Sequence, residues 1–261
     1  MDLGLKGKVA LVTAASGGLG AAIAEVLAEE GARVAITGTK ADKLEATAAA
    51  IRAKGGEVLP LVWDLADLDR IEPAIAEIEA KLGPIDILVN NTGGPPPSPA
   101  AGQSIATWQA HFQSMVLCVL AITDRVLPGM RQRGWGRILT STSMGVVAPI
   151  PNLGMSNTLR ASLVGWSKTL SREVARDGIT VNVLAPGRIL TDRVRSIDAG
   201  QAKREGRPVE EVSAASQATI PVGRYGDPRE FADMAVFLAS PRASYVTGSV
   251  IRVDGGALPN I

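Results

Sequence analysis

Residues 9–20 read Val9-Ala10-Leu11-Val12-Thr13-Ala14-Ala15-Ser16-Gly17-Gly18-Leu19-Gly20, and a helical pattern follows from Ala21 to Glu30. A short apolar run that ends in a glycine-rich turn and opens a helix is the setting in which backbone can hold a phosphate. Gly18 and Gly20 carry no side chain to keep a pyrophosphate at a distance. The first turn of the following helix presents unpaired N–H groups and the positive end of its dipole. The same turn could join a strand to a helix with no ligand at all, so the rest of the chain has to decide between the two readings.

Outward from this stretch, short β-branched runs alternate with longer helical patterns. VALVT at 9–13 is followed by ARVAIT at 32–37, VLPLVW at 58–63 and DILVN at 86–90; RILTST from Arg137, ITVNVL from Ile179 and SVIRV from Ser249 complete seven candidate strands. Alternation of this kind implies βαβ units with right-handed crossovers, and near-continuous apolar strands suit a parallel sheet buried on both faces. Glycines punctuate the helix ends, Gly31 after Ala21–Glu30 and Gly55-Gly56 after Lys43–Lys54, while Pro128 reads as a kink. The expected class is α/β, a doubly wound parallel seven-stranded sheet with helices on both faces, in one domain over residues 1–261. Two stretches interrupt the rhythm: GGPPPSPAAG at 93–102 after the fourth strand, and the polar segment Arg193–Thr219 after the sixth. Both follow strand C-termini, the edge at which open α/β sheets bind ligands, which makes them candidate walls of a substrate pocket.

The composition removes several classes. Lys plus Arg number 27 against 26 Asp plus Glu, so there is no basic field for nucleic acid. Cys118 is the only cysteine and sits in the apolar run Met115–Ala121; no intrachain disulfide can form, and a reducing, cytoplasmic setting suits the sequence. The apolar stretch at the N-terminus is too short for a signal core or a membrane span. His111 has no partner at ligand spacing, and no metal site is expected.

The spaced motifs together resemble the short-chain dehydrogenase/reductase family, and in overall sequence its 3-oxoacyl carrier-protein reductases. That family's TGxxxGxG loop, NNAG strand end and PG pair read here as TAASGGLG (13–20), Asn90-Asn91-Thr92-Gly93 and Pro186-Gly187, and the resemblance continues to YVTGSVIRVDGG near the C-terminus. It implies a Rossmann fold with the loop residues Thr13, Ser16, Gly17, Gly18, Leu19 and Gly20 at the pyrophosphate. It also implies Asp64 and Leu65 beside the adenine, Asn91, Thr92 and Gly93 along the adenosine, and Pro186, Gly187, Ile189 and Thr191 near the nicotinamide. At the end of the second strand an acid would bond the ribose 2′-hydroxyl and a base would accept a 2′-phosphate. Gly38, Thr39 and Lys40 contain no acid, which points to NADP(H) in preference to NAD(H), with Thr39 and Lys40 as phosphate contacts.

The catalytic half departs from the family. Its tetrad resembles an asparagine, a serine, and a tyrosine and lysine spaced YxxxK. Here the serine falls on Ser143, the tyrosine position on Ser156 and the lysine position on Arg160; the asparagine position, seven residues past Trp108, is Met115, next to Ser114. The only tyrosines, Tyr225 and Tyr245, lie in C-terminal segments, so the tyrosine is absent and not displaced. Serine is a far weaker acid than a phenol and arginine stays protonated, so Ser156 and Arg160 cannot repeat the tyrosine–lysine chemistry. Arg160 could stabilise an oxyanion or clamp a carboxylate or phosphate, with Ser143 donating to the same oxygen. The bland reading makes Ser156 and Arg160 packing residues, and Arg188 and Arg193, which flank Thr191, solvated charges.

Two functions follow: an NADP(H)-dependent oxidoreductase on a small alcohol or carbonyl substrate with Ser143, Ser156 and Arg160 as its altered site, or a catalytically inactive nucleotide-binding or partner-subunit protein of the same fold. Arg160 could also select an acidic substrate for a reaction other than hydride transfer. The resemblance implies a homotetramer packed through helices at 105–132 and 153–176, with Met115, Cys118, Leu163 and Trp166 available for contact.

Overall fold

Val12 hydrogen-bonds in register with Ile36 on one side and Val89 on the other, so the first strand lies at the centre of the sheet. The protein was described from a computed structural model that covers residues 2–260. Strands β1 (Val9–Val12), β2 (Arg33–Gly38), β3 (Val58–Val62), β4 (Ile87–Asn90), β5 (Gly136–Ser141), β6 (Ile179–Pro186) and β7 (Val250–Val253) are all parallel, in the order β3-β2-β1-β4-β5-β6-β7. This is the expected doubly wound seven-stranded sheet. The winding reverses between β1 and β4, which opens a crevice at their C-terminal ends.

Helices α1 (Gly18–Glu29), α2 (Ala41–Ala53), α3 (Ile71–Leu82), α4 (Ile105–Phe112), α5 (Cys118–Arg133) and α6 (Gly154–Val174) follow the first five strands, and α7 (Asp192–Glu205), α8 (Val209–Ala218) and α9 (Pro228–Ala239) follow β6. Side chains alternate across each strand. Val9 and Leu11 face a core built with Ile75, Ile78, Ile122 and Leu163, whereas Ala10 and Val12 face Ile23, Leu27 and Phe231. The apolar faces of α3, α5 and α6 therefore cover one side of the sheet and those of α1, α2 and α9 the other.

Some local expectations hold and others change. The polar segment 193–219, which interrupts the rhythm in sequence, mostly forms α7 and α8. Pro128 lies within α5, as a proline inside a helix was expected to, and a π-helical turn at Gln113–Leu117 divides the long 105–133 run. By length and composition that run could cross a bilayer, but here it flanks the sheet against α3, α6 and β5. Met115, Cys118 and Leu163 are buried in the chain's own core and are not available to an interface; Trp166 is half-buried against the same core. Their stripe is the sheet-facing one.

Cys118 is fully buried and its Sγ donates to the Ser114 carbonyl at 3.1 Å. Burial pushes the thiol up to about 12. At pH 8 roughly one thiol in ten thousand would be ionised, so the native protein is expected to be inert to Ellman's reagent and to release one equivalent of chromophore once unfolded in guanidinium. Rapid labelling of the native protein would contradict this burial.

Candidate functional site

The ends of β1 and β4 are clamped together beneath the glycine-rich turn. The Thr13 hydroxyl donates to the Asn91 carbonyl at 2.7 Å, the Asn91 N–H donates to Thr13 Oγ1 at 3.0 Å, and Asn91 Nδ2 donates to the Ala14 carbonyl at 3.1 Å. Sequence places Thr13 and Asn91 along a nucleotide; in the structure Thr13 is 1% exposed, beneath the loop, and the Asn91 amide holds the loop's backbone. A side chain on Gly20 would begin 2.7 Å from the Ala14 carbonyl and 2.9 Å from Asn91 Nδ2, so the turn closes only with glycine there. Gly17 precedes α1 without a capping side chain, and the first turn of α1 carries no acid, which leaves its N–H groups to an anion.

The surrounding residues converge as expected in some places and not in others. The turn from Pro186 through Gly187 and buried Ile189 brings the Thr191 methyl to 3.6 Å from where a Gly18 side chain would start. Ser16 packs on Gly38, and Thr39 and Lys40 stand exposed at the same edge, where α2 begins without a side-chain cap; the next acid in sequence is Asp42. Asp64 is exposed and accepts from the Ala66 N–H at 2.9 Å, while Leu65 turns into the core. Thr92 is buried and Gly93 exposed.

At the ends of β4 and β5 sits Arg160, from α6. It is 8% exposed; Nη1 donates to the Ser141 carbonyl at 3.2 Å and Nη2 to the Gly93 carbonyl at 3.0 Å. Burial, reinforced by the positive charge of Arg193, pushes its guanidinium down to about 10, which still leaves it charged at neutral pH. Ser143 follows β5; its Oγ accepts from the Gly145 N–H at 3.0 Å, and no protein acceptor takes its own proton among the described residues. Ser156 is buried on the first turn of α6. The start of that helix is fastened by Asn157, whose side chain donates to the Ile150 carbonyl at 2.9 Å, and by the proline-rich 93–102 segment, where Ser98 bonds backbone groups of Asn152 and Gly154.

The remaining candidates separate. Arg188 pairs with buried Asp198 at 2.9 Å, and that carboxylate also accepts from Ser213 Oγ and from the Tyr225 hydroxyl at 2.6 Å. This network ties α7 and α8 to the turn after β6, and burial followed by the bond to Asp198 raises the Tyr225 phenol, so Tyr225 is no substitute acid. Tyr245 is fully exposed. Met115 points into the core and Ser114 Oγ donates to the Ala110 carbonyl, so neither replaces an asparagine side chain. Among the described residues there is no cluster able to hold a metal ion. Sequence reasoning singled out none of Asp198, Asn157 and Gly94, although Gly94 and Asp198 lie in the two stretches read as candidate walls of a substrate pocket.

A family model described as enoyl-(acyl carrier protein) reductase matches residues 13–257. The 3-oxoacyl-[acyl-carrier-protein] reductase FabG of Vibrio harveyi is 38% identical over 257 residues, which is 97% of this chain and 98% of that protein. The chain belongs to the short-chain dehydrogenase/reductase family. Solved structures of similar proteins include the L-sorbose reductase of Gluconobacter frateurii complexed with NADPH and L-sorbose, at a TM-score of 0.95 and 34% identity with both chains covered fully. YwfH, an NADPH-dependent reductase involved in bacilysin biosynthesis, superposes at a TM-score of 0.92 and 31% identity, covering 97% of this chain and 99% of that one.

One departure from the short-chain dehydrogenase/reductase loop has a measurable consequence. Ala14 stands where the family's first glycine falls and adopts φ 47°. A left-handed alanine costs about 1–2 kcal/mol, more than the roughly 0.4–1 kcal/mol by which glycine favours the unfolded chain. Ala14→Gly is therefore expected to raise Tm by about 1–4 °C in a calorimetric scan. A lower Tm would contradict the strained loop.

Proposed function

We propose that the protein is an NADP(H)-dependent oxidoreductase interconverting a small alcohol and its carbonyl compound, with Ser143, Ser156 and Arg160 standing where the family carries serine, tyrosine and lysine. The observation that carries this reading is Arg160: a cation kept buried at the ends of β4 and β5 against the cost of desolvation, bonded to the carbonyl of Ser141 on the same strand end that Ser143 follows.

The chain suits the cofactor at several points. The N-terminus of α1 with Gly17, Gly18 and Leu19 would take the pyrophosphate, and Ser16, Thr39 and Lys40 the 2′-phosphate. Asp64 and Leu65 would flank the adenine, Asn91 to Gly93 the adenosine, and Pro186, Gly187, Ile189 and Thr191 the nicotinamide end. The bound cofactor supplies or accepts the hydride. The relatives support this choice, since the sorbose reductase was solved with NADPH and YwfH is NADPH-dependent.

Ser143 does the orienting. Its oxygen is held by the Gly145 N–H, so its proton is free for the substrate oxygen, and Arg160 supplies positive potential as charge develops there. Ser156 is too weak an acid to deliver the proton, which comes from water. The same proposal includes a homotetramer in a cytoplasmic setting: exposed Ile105, Phe112 and Leu117 on the 105–133 run take the place of the buried residues named from sequence.

Titration calorimetry with NADPH and NADH tests the cofactor. NADPH is expected to bind at least about tenfold more tightly, and Lys40→Glu to remove most of that preference. Equal affinities would overturn the NADP(H) assignment, and binding of neither would overturn the oxidoreductase reading. With a panel of small ketones and aldehydes, Ser143→Ala is expected to lower kcat about a hundredfold with unchanged NADPH affinity. Unchanged turnover would remove Ser143 from the site.

A further inference from the structure

Arg160 is not the only cation at its site. Arg193, on α7, donates from Nη2 to the Pro95 carbonyl at 3.2 Å. Its Nη2 lies 3.1 Å, and Arg160 Nη2 3.3 Å, from the point where a side chain on Gly94 would begin. Two guanidinium groups from different helices thus reach one small space above Gly94. Among the described residues neither forms an ion pair, whereas Arg125, Arg133 and Arg188 each have a carboxylate.

A buried arginine satisfied by carbonyls need not be a binding site. Arg137 is such a residue: it is 2% exposed, bonds the carbonyls of Ser240, Gly136 and Gly178, and stacks on Trp135. Lys8 shares the Trp135 ring with it, but burial alone lowers the Arg137 proton affinity, with no contribution from another cation. Arg160 and Arg193 do face each other, and the mutual repulsion lowers the Arg160 proton affinity. Each uses one or two carbonyls and keeps further N–H donors. Arg193 is exposed and Arg160 buried, so the pair spans from the interior to the surface.

We propose that Arg160 and Arg193 form a carboxylate subsite above Gly94, and that the substrate is an oxo acid or hydroxy acid whose carboxylate they share. This rests on the oxidoreductase reading only for the word substrate; the anion site itself stands on the arginine geometry. A carboxylate there accepts from both forks, cancels the repulsion and fixes the substrate near Ser143.

Binding is read by saturation-transfer NMR and calorimetry on NADP⁺-loaded protein with pyruvate, 3-oxobutanoate and 4-oxopentanoate, each beside its methyl ester. At least one acid is expected to bind about tenfold or more tightly than its ester, and Arg193→Gln to remove most of that preference. Gly94→Asp supplies the anion from within the chain: it is expected to raise Tm relative to Gly94→Asn and to abolish the preference, which Gly94→Asn keeps. Equal binding of acids and esters, an acid preference that survives Gly94→Asp, or no Tm gain over Gly94→Asn would overturn the subsite. Loss of NADPH affinity in Arg193→Gln with acid binding intact would assign the pair to the cofactor's phosphates, and overturn it equally. Acids that bind without any NADPH oxidation would leave the subsite standing and defeat the oxidoreductase reading; NADPH oxidation at equal rates with acid and ester would do the reverse.

Discussion

A guanidinium held out of water without a carboxylate is an expensive arrangement, and the ligand end of this protein is organised around one. Arg160 is secured by the carbonyls of Ser141 and Gly93, one from each of two neighbouring strand ends, so it belongs to the sheet's C-terminal edge as much as to α6. Two carbonyl dipoles accept from it but leave further N–H donors and its charge uncancelled. Removal of the Arg160 guanidinium would take away the donor to the buried Ser141 carbonyl and leave the space above Gly94 with a single positive charge.

What makes such a site possible is the rigidity of the edge on which it sits. Thr13 and Asn91 lock β1 to β4 at the point where the winding reverses, and this fixes both the glycine-rich turn and the start of the 93–102 segment. Ser98 then ties that segment to the beginning of α6, and the Asp198 network ties α7 and α8 to the turn after β6. Each of the helices carrying an arginine is therefore anchored independently of the arginine itself. This frame matches that of solved reductases at TM-scores of 0.92 and 0.95.

The sheet was legible in the sequence because a parallel strand buried on both faces is written as a continuous apolar run, and each of the seven runs became a strand to within a residue or two at most ends. Residues 193–219 were not, since α7 is too polar to show a helical stripe and its most important side chain, Asp198, finds partners 10 to 27 residues away. Met115, Cys118 and Leu163 showed the right periodicity but not its direction; only packing reveals which apolar face meets the sheet. The assignment of Ser143, Ser156 and Arg160 to tetrad positions rests on the family resemblance. That Arg193 would meet Arg160, while Arg188 would be taken by Asp198, depends on three segments brought together by the fold, and no local pattern encodes it.

The proposed chemistry requires Arg160 to face the ligands. A crystal structure with NADP⁺ and an oxo acid bound in the crevice between β1 and β4 decides it. The expected result places the Arg160 guanidinium within hydrogen-bond distance of the cofactor or the acid, with Ser143 on the same side. A structure in which both ligands are bound while Arg160 contacts only the carbonyls of Ser141 and Gly93, screened from them by protein atoms, would contradict it.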